Sequence, residues 1–327
     1  MSLRGHSPPE RPGWIGRRMA RVINEFARPR RRFGRKERRG LLVGLAFISP
    51  WIIGFVAFTA GPILASAYYS LTEFTIFQAP HWVGLANYRT LLTDDPDFYL
   101  SLSNTLLFTL MAIPTSIVAA MVMALAMNVK LRGVTIYRGI YFLPSIVPAV
   151  ASAVLWVWIL NPQWGLLNLA LRAIGIHGPG WLTSPDWAKP SLALIAVWGT
   201  GSDMLIYLAA LQDIPQALYE AASLDGANSW DRTRLITIPL LTPIVFFQLI
   251  NGIIWAFQYF TEAFIMTGGG PAKATLFYAL YLYQNAFANL KMGLASAQAW
   301  ILFIIVMVAT LVILRSSRGW VYYEGQR

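Results

Sequence analysis

Residues 218–243 read LYEAASLDGANSWDRTRLITIPLLTP, a polar, helix-forming segment wedged between two strongly apolar runs. A loop that only reverses the chain needs a few residues, and this one is much longer. It carries small residues (Ala221, Ala222, Ser223) beside an acid, Glu220. Gly226 stands where a short helix would end, because glycine accepts the positive φ of a helix C-terminus. Pro215 suits a first helical turn, and Gln216–Leu224 have good helix propensity. Leu218, Ala221 and Ala222 then share one face at i, i+3, i+4, with Leu224 at its edge. A second short helix is predicted over Ser229–Ile236. The segment either docks onto a partner, which its alanines let approach closely, or lies as an ordinary amphipathic interfacial helix.

Outward from this segment the chain is apolar. Hydrophobic residues make up 56% of the 327 and charged residues only 13%, with a mean hydropathy of +0.52, too apolar for a soluble protein of this length. Gly40–Thr72, Phe98–Val129, Gly139–Leu171, Leu235–Thr261 and Met292–Leu314 carry no charge, and Pro190–Gln212 is interrupted only by Asp203. About 20 residues cross a hydrocarbon core of ~30 Å, so each of these six runs is long enough. The reading is an all-α integral membrane protein with six transmembrane helices, over about 42–70, 102–127, 137–160, 190–211, 238–262 and 292–314. Pro50, Pro62, Pro114, Pro144 and Pro148 predict kinks that neighbouring helices satisfy.

The basic residues set the orientation. With a cytosolic N-terminus, inside segments 1–39, 129–138, 212–238 and 315–327 hold 21 of the 26 Lys and Arg, as the positive-inside rule requires. Both termini are therefore expected in the cytosol, and so is the polar loop at 213–237. The tail 1–39 does not read as a signal peptide: its basic region is too long and no small-residue cleavage site follows the first apolar run. Trp14, Ile15, Met19, Val22, Ile23 and Phe26 recur at helical spacing between arginines. They describe either an in-plane amphipathic helix on anionic lipid or a plain basic anchor. Residues 316–327 form a short C-terminal tail. Topology accounts for the net charge of +11, so no nucleic-acid partner is expected.

Several chemistries are excluded. There is no cysteine, hence no thiolate nucleophile or thiolate metal site. His6, His81 and His177 lie far apart and in no metal-ligand spacing. Gly268–Pro271 (GGGP) superficially suggests phosphate binding, but a nucleotide loop needs G-x-x-x-x-G-K-[ST] after a strand, and no such pattern occurs. Neither catalytic residues nor a metal is expected.

A solute path has one clear candidate. Gln248, Asn251, Trp255, Gln258 and Glu262 are spaced 3, 4, 3 and 4 apart, on one face of the fifth run. Amides and an indole in line suit a sugar, which needs hydroxyl hydrogen bonds and a flat apolar surface. The same stripe can instead bond to another helix or subunit. Tyr259 and Phe260 are read as packing residues off that face. Asp203, an acid inside an apolar run, points to a cavity or partner, or else to the outer water layer.

The residues also carry a resemblance. EAASLDGANSWDRTRLITIPLL (220–241) resembles the EAA signature of permease subunits in ABC importers. WVGLANY (82–88), DPDF (95–98), NTLLFT (104–109), the stretch Arg138–Asn168 and MTGGGPAKAT (266–275) resemble the carbohydrate branch of that family. An acid at Asp203 departs from its usual pattern, and the first 40 residues match nothing in it. The resemblance implies a type I ABC importer permease in the inner membrane of a prokaryote. Glu220, Ala221, Ala222, Gly226 and Pro239 would couple it to a separate ATPase. It implies an ABC ATPase dimer, a second permease and an extracytoplasmic solute-binding protein as partners, with ATP on the ATPase and no cofactor on this chain. Gly268–Pro271 would shape the outer mouth that meets the binding protein, or form a plain turn. An ion-gradient-driven transporter usually shows internal repeats and several intramembrane charges. An integral membrane enzyme would cluster His, Asp or Glu at one face. Neither pattern is present.

Overall fold

A computed structural model describes residues 35–129 and 132–322, with side chains from Arg39 onward. The amphipathic stretch Trp14–Phe26 and the last five residues lie outside the described residues. The chain divides into two compact units, Met1–Leu64 and Ala65–Arg327.

The described part of the first unit is helical. α1 (Arg35–Phe55) contains Pro50 and passes into a π-helical turn, Val56–Ala60. Trp51 and Phe55 stack at 5.5 Å. Its apolar side chains are exposed on all sides (Phe47 84%, Phe58 85%), the pattern of a helix meant for lipid or another subunit.

The second unit opens with α2 (Gly61–Ser70), whose range begins before the boundary, and then a hairpin, β1 (Thr72–Thr75) and β2 (Gln78–Trp82). The strands are antiparallel, with Thr72 opposite Trp82 and Glu73 opposite His81. The chain is thus not purely α. Asn87 Nδ2 fixes the hairpin by donating to Ser70 O at 3.0 Å and Thr72 O at 2.9 Å. After α3 (Ala86–Arg89), the long α4 (Pro96–Met127) starts on a cap: Asp95 Oδ1 accepts from the Asp97 and Phe98 amides, and Pro96 fills the first turn. This cap starts the helix ahead of the expected residue 102.

Two of the six expected spans are not continuous helices. α5 (Val134–Ile146) and α6 (Ala149–Ile159) meet at 99°; α8 (Pro185–Trp198) and α9 (Gly201–Asp213) meet at 48°. The first break is chemical: Pro148 donates no amide hydrogen and forces Val147 out of the helical region (ψ 128°). Between the pairs lies the short α7 (Leu166–Ala173). Among the described residues four helical stretches are long and apolar enough to cross a membrane: Arg39–Ser70, Pro96–Met127, Ser229–Met266 and Met292–Gly319. The number rises to six if each bent pair counts as one.

The remaining α-helices are α10 (Gln216–Leu224), α11 (Ser229–Arg232), α12 (Ile238–Phe257), α13 (Thr261–Met266), α14 (Tyr278–Tyr283) and α15 (Met292–Ser316). Two hydrophobic cores fill the unit. One gathers Phe98, Phe108, Leu192, Ile195, Tyr259, Phe277 and Tyr278. The other gathers Ala120, Ala124, Met204, Tyr207, Leu208, Leu211 and Leu241. Small residues allow the closest approaches, as is usual where packing rather than desolvation holds helices together: a Cβ on Gly293 of α15 would collide with Thr72 O.

Candidate functional site

The polar segment between α9 and α12 folds into a self-capped unit. α10 ends in a Schellman turn: Ala227 N–H donates to Ala222 O at 2.9 Å and Gly226 N–H to Ser223 O at 3.2 Å, with Gly226 at φ +83°. α11 begins in a capping box, in which Asn228 Oδ1 accepts from the Trp230 and Asp231 amides and Asp231 Oδ2 accepts from Asn228 N–H. The expected helix Ser229–Ile236 is α11 followed by a π-helical turn, Thr233–Thr237, in which Ile238 N–H reaches back to Thr233 O. Pro239, the second residue of α12, offers no amide to a regular ladder, and the wider turn absorbs the loss. Tyr219 Oη and Thr237 Oγ1, 2.9 Å apart, hold α10 against this turn. Glu220, Ala221 and Gly226 are exposed while Ala222 and Pro239 are half-buried. Leu224 (90% exposed) and Trp230 (66%) leave apolar surface unpartnered on the same unit.

A cavity of about 410 Å³ lies between α4, the two helix bends, α12 and α13. Asp203, Gln248, Asn251, Trp255 and Glu262 all line it. Gln248 Nε2 donates to Asp203 Oδ1 at 3.1 Å, so the acid faces the cavity and an amide, with no cation among the lining residues. Asn251 Nδ2 donates to Phe247 O of its own helix at 2.9 Å. Gly252 brings α12 close to α4: a Cβ there would stand 2.9 Å from Ile113 Cδ1.

Gln258 does not join them. α12 stops at Phe257, and the chain leaves helical geometry through Gln258–Phe260 before α13 restarts at Thr261. The 3.6-residue period is lost there, so Gln258 turns outward and is exposed. Tyr259, read as a packing residue, does pack in the first core and lines the cavity as well. It stacks on Phe108 at 4.5 Å and meets Trp255 edge-on at 5.1 Å.

A family model described as "Binding-protein-dependent transport system inner membrane component" matches residues 112–321, most of the described second unit. The chain belongs to this family. YesP of Bacillus subtilis, a probable ABC transporter permease protein, is 43% identical over 296 residues, covering 89% of this chain and 96% of that protein. The lactose transport system permease protein LacF of Rhizobium radiobacter is 36% identical over 275 residues, covering 82% and 91%. Among solved structures, a chain of the bacterial alginate ABC transporter, crystallised with an alginate pentasaccharide-bound periplasmic protein, aligns with a TM-score of 0.75. It is 25% identical and covers 86% of this chain and 95% of that one.

In this permease the glycine-rich stretch after α13 is pinned from several sides. Lys273 Nζ pairs with Asp97 Oδ2 at 2.6 Å. Asn104 Nδ2 donates to the carbonyls of Lys273 and Leu276, and Lys189 Nζ donates to Asn104 Oδ1. Thr275 Oγ1 closes the turn onto Gly270 O at 2.6 Å. Gly268 and Gly269 take φ of +59° and +93°, so glycine here serves turn geometry. Tyr281 donates to Asp95 Oδ2 at 2.6 Å. Burial first, and that carboxylate second, push its phenol up to about 12.

Sequence reasoning missed Tyr207, Thr200 and Tyr259 as cavity residues. Tyr207 sits one turn beyond Asp203, so extending the helical face from that acid would have found it. Its ring is fully buried in the second core, and among the described residues its hydroxyl has no hydrogen-bond partner. Tyr259 carried no such signal, because its placement depends on where α12 ends.

Proposed function

We propose that this permease is one of two pore-forming subunits of an ATP-driven importer for a sugar or related polyol in the inner membrane of a prokaryote. The chain would cross the membrane six times, each bent pair counting as one span, with both termini in the cytosol. α10 and α11 would seat in a separate ABC ATPase dimer through Glu220, Ala221, Ala222 and Gly226, with Pro239 closing the segment. ATP would bind to that dimer, and this chain would hold no cofactor. A second permease and an extracytoplasmic solute-binding protein complete the assembly, with membrane lipid around it and no nucleic acid.

The observation that carries this reading is the exposed, self-capped α10–α11 unit, which links the two helices, α9 and α12, that both reach the cavity. A push on that unit reaches the cavity through helices rather than through loops. The sugar assignment is supported by the lining chemistry: amide and carboxylate groups from Gln248, Asn251 and Asp203 lie beside the aromatic planes of Trp255 and Tyr259. Such a mixture suits hydroxyls and apolar ring faces together. Solute would be handed from the binding protein to this cavity and released inward as the ATPase turns over.

The test is purification of the tagged permease from its native membrane, followed by reconstitution with the proteins that accompany it. An ATPase and a second permease in fixed proportion, with sugar uptake that needs both ATP and the binding protein, support the reading. Uptake by the chain alone, driven by an ion gradient without ATP, overturns it.

A further inference from the structure

The two cores of Ala65–Arg327 divide at the level of the cavity. α4 gives Phe108 and Ile113 to the first core but Ala120 and Ala124 to the second. The bent pair divides between Ile195 of α8 and Met204 of α9, and α12 divides between Leu241 and Ala256. Each of these three connections contains a point where a helix is weak. These are Pro114 in α4, the Gly199–Thr200 break between α8 and α9, and Gly252 in α12. Proline removes a ladder donor, and glycine destabilises a helix relative to alanine. Gly199, Thr200 and Gly252 line the cavity, and so does Ile113 beside Pro114.

The second core belongs to the helices that carry the coupling segment. α9 leads into α10, and α11 leads into α12. Tyr219–Thr237 ties this arm at the coupling end and Gln248–Asp203 ties it at the cavity end. We propose that Asp203 and Gln248 are positioning residues that lock α9 and α12 into one coupling arm, and that the arm swings about Pro114, Gly199–Thr200 and Gly252.

This rests on the transport reading above and adds a mechanical division of the cavity wall. Asp203, Tyr207 and Gln248 travel with the arm; Trp198, Tyr259 and Glu262 stay with the first core. One displacement of α10 therefore changes the spacing between the two halves of the solute's surroundings. Without the Gln248–Asp203 bond the two helices of the arm slide separately, and less of the displacement arrives.

The permease has no cysteine, so pairs of spin labels can be placed without background once the companion subunits are made cysteine-free. Exposed sites Ile206 on α9 and Phe247 on α12 report within the arm. Leu110 with Val122, and Leu194 with Ile206, report across the Pro114 and Gly199 points. In the assembled transporter, ATP trapping should shift both crossing pairs and leave the arm pair fixed. In Gln248→Leu the arm pair should broaden and solute moved per ATP hydrolysed should fall about ten-fold, the scale of one hydrogen bond to a charged group. Asp203→Asn alone, which keeps an acceptor for Gln248, should retain the wild-type arm distance. An arm pair that shifts as far as the crossing pairs overturns the proposal while leaving ATP-driven import intact. Crossing pairs that ignore ATP in a complex that transports overturn it equally. Uptake without any ATPase removes the transport reading beneath it.

Discussion

Lys273 Nζ sits 2.6 Å from Asp97 Oδ2, joining the turn after α13 to the first turn of α4 across 176 residues of sequence. Close by, the buried Asn104 amide holds the Lys273 and Leu276 carbonyls and receives Lys189 Nζ. The ion pair catches the eye first, but the amide contributes more. Lys273 and Asp97 side chains are 55% and 30% exposed, where solvent screens attraction, whereas Asn104 is 2% exposed.

Lys273→Gln should therefore cost less than about 1 kcal/mol, while Asn104→Leu, which strands three polar partners, should cost about 3 kcal/mol. Thermal unfolding of the detergent-purified permease ranks the two. A larger loss in Lys273→Gln would show that the exposed pair holds the loop.

Gly226 isolates conformation from crowding. Among the described residues a Cβ there meets nothing within 4 Å, yet φ is +83°, so a β-branched side chain costs about 1–2 kcal/mol through the backbone alone. Gly226→Val should insert normally and lose ATP-dependent uptake, and Gly226→Asn, which tolerates the left-handed region, should retain most of it. Equal uptake in wild type and Gly226→Val would mean that the Schellman turn has no part in coupling.

Gly201 gives the opposite case. Its Cβ would collide with Tyr141 O and stand 2.9 Å from Phe142 Cα, both backbone atoms that cannot step aside. Gly201→Ala should lower stability by about 1–3 kcal/mol. Gly199→Ala, whose Cβ would lie 3.5 Å from Ala196 O, should melt close to wild type. Matching melting curves for both variants would refute close packing of α9 on α5.

Tyr281 predicts an alkaline limit. Its phenol ionises at about 12 against an ordinary 10.0, chiefly through burial and then through its bond to Asp95. The folded state thus holds the proton longer than the unfolded state. The contribution is fully present below pH 10 and is lost as pH rises from 10 through about 12. Tyr281→Phe should flatten the stability profile over that window, measured by unfolding at fixed pH steps. An unchanged slope would place the alkaline sensitivity elsewhere.

Charge-free runs marked where each membrane-length segment lies, since twenty apolar residues in a row have few other destinations. Gly226 also announced its role, because a left-handed turn is decided within a few residues of chain. Pro148 marked a kink but not its 99° angle, which depends on what α5 and α6 pack against. The hairpin Thr72–Trp82 was hidden inside and beside an apolar run whose composition reads as helix. The stripe on α12 was legible for three residues and failed at Gln258, where the helix ends without a proline or glycine to mark it.

By itself the sequence determined the polar segment at 218–243, the apolar lengths on either side of it and the amide-bearing face of α12, because each follows from local propensity and periodicity. Only the tertiary structure decided that Asp203 meets Gln248, that Tyr259 rather than Gln258 enters the cavity, and that the interior divides into two cores at Pro114, Gly199 and Gly252. Those outcomes depend on helix ends and on contacts between residues tens of positions apart, which no local pattern encodes.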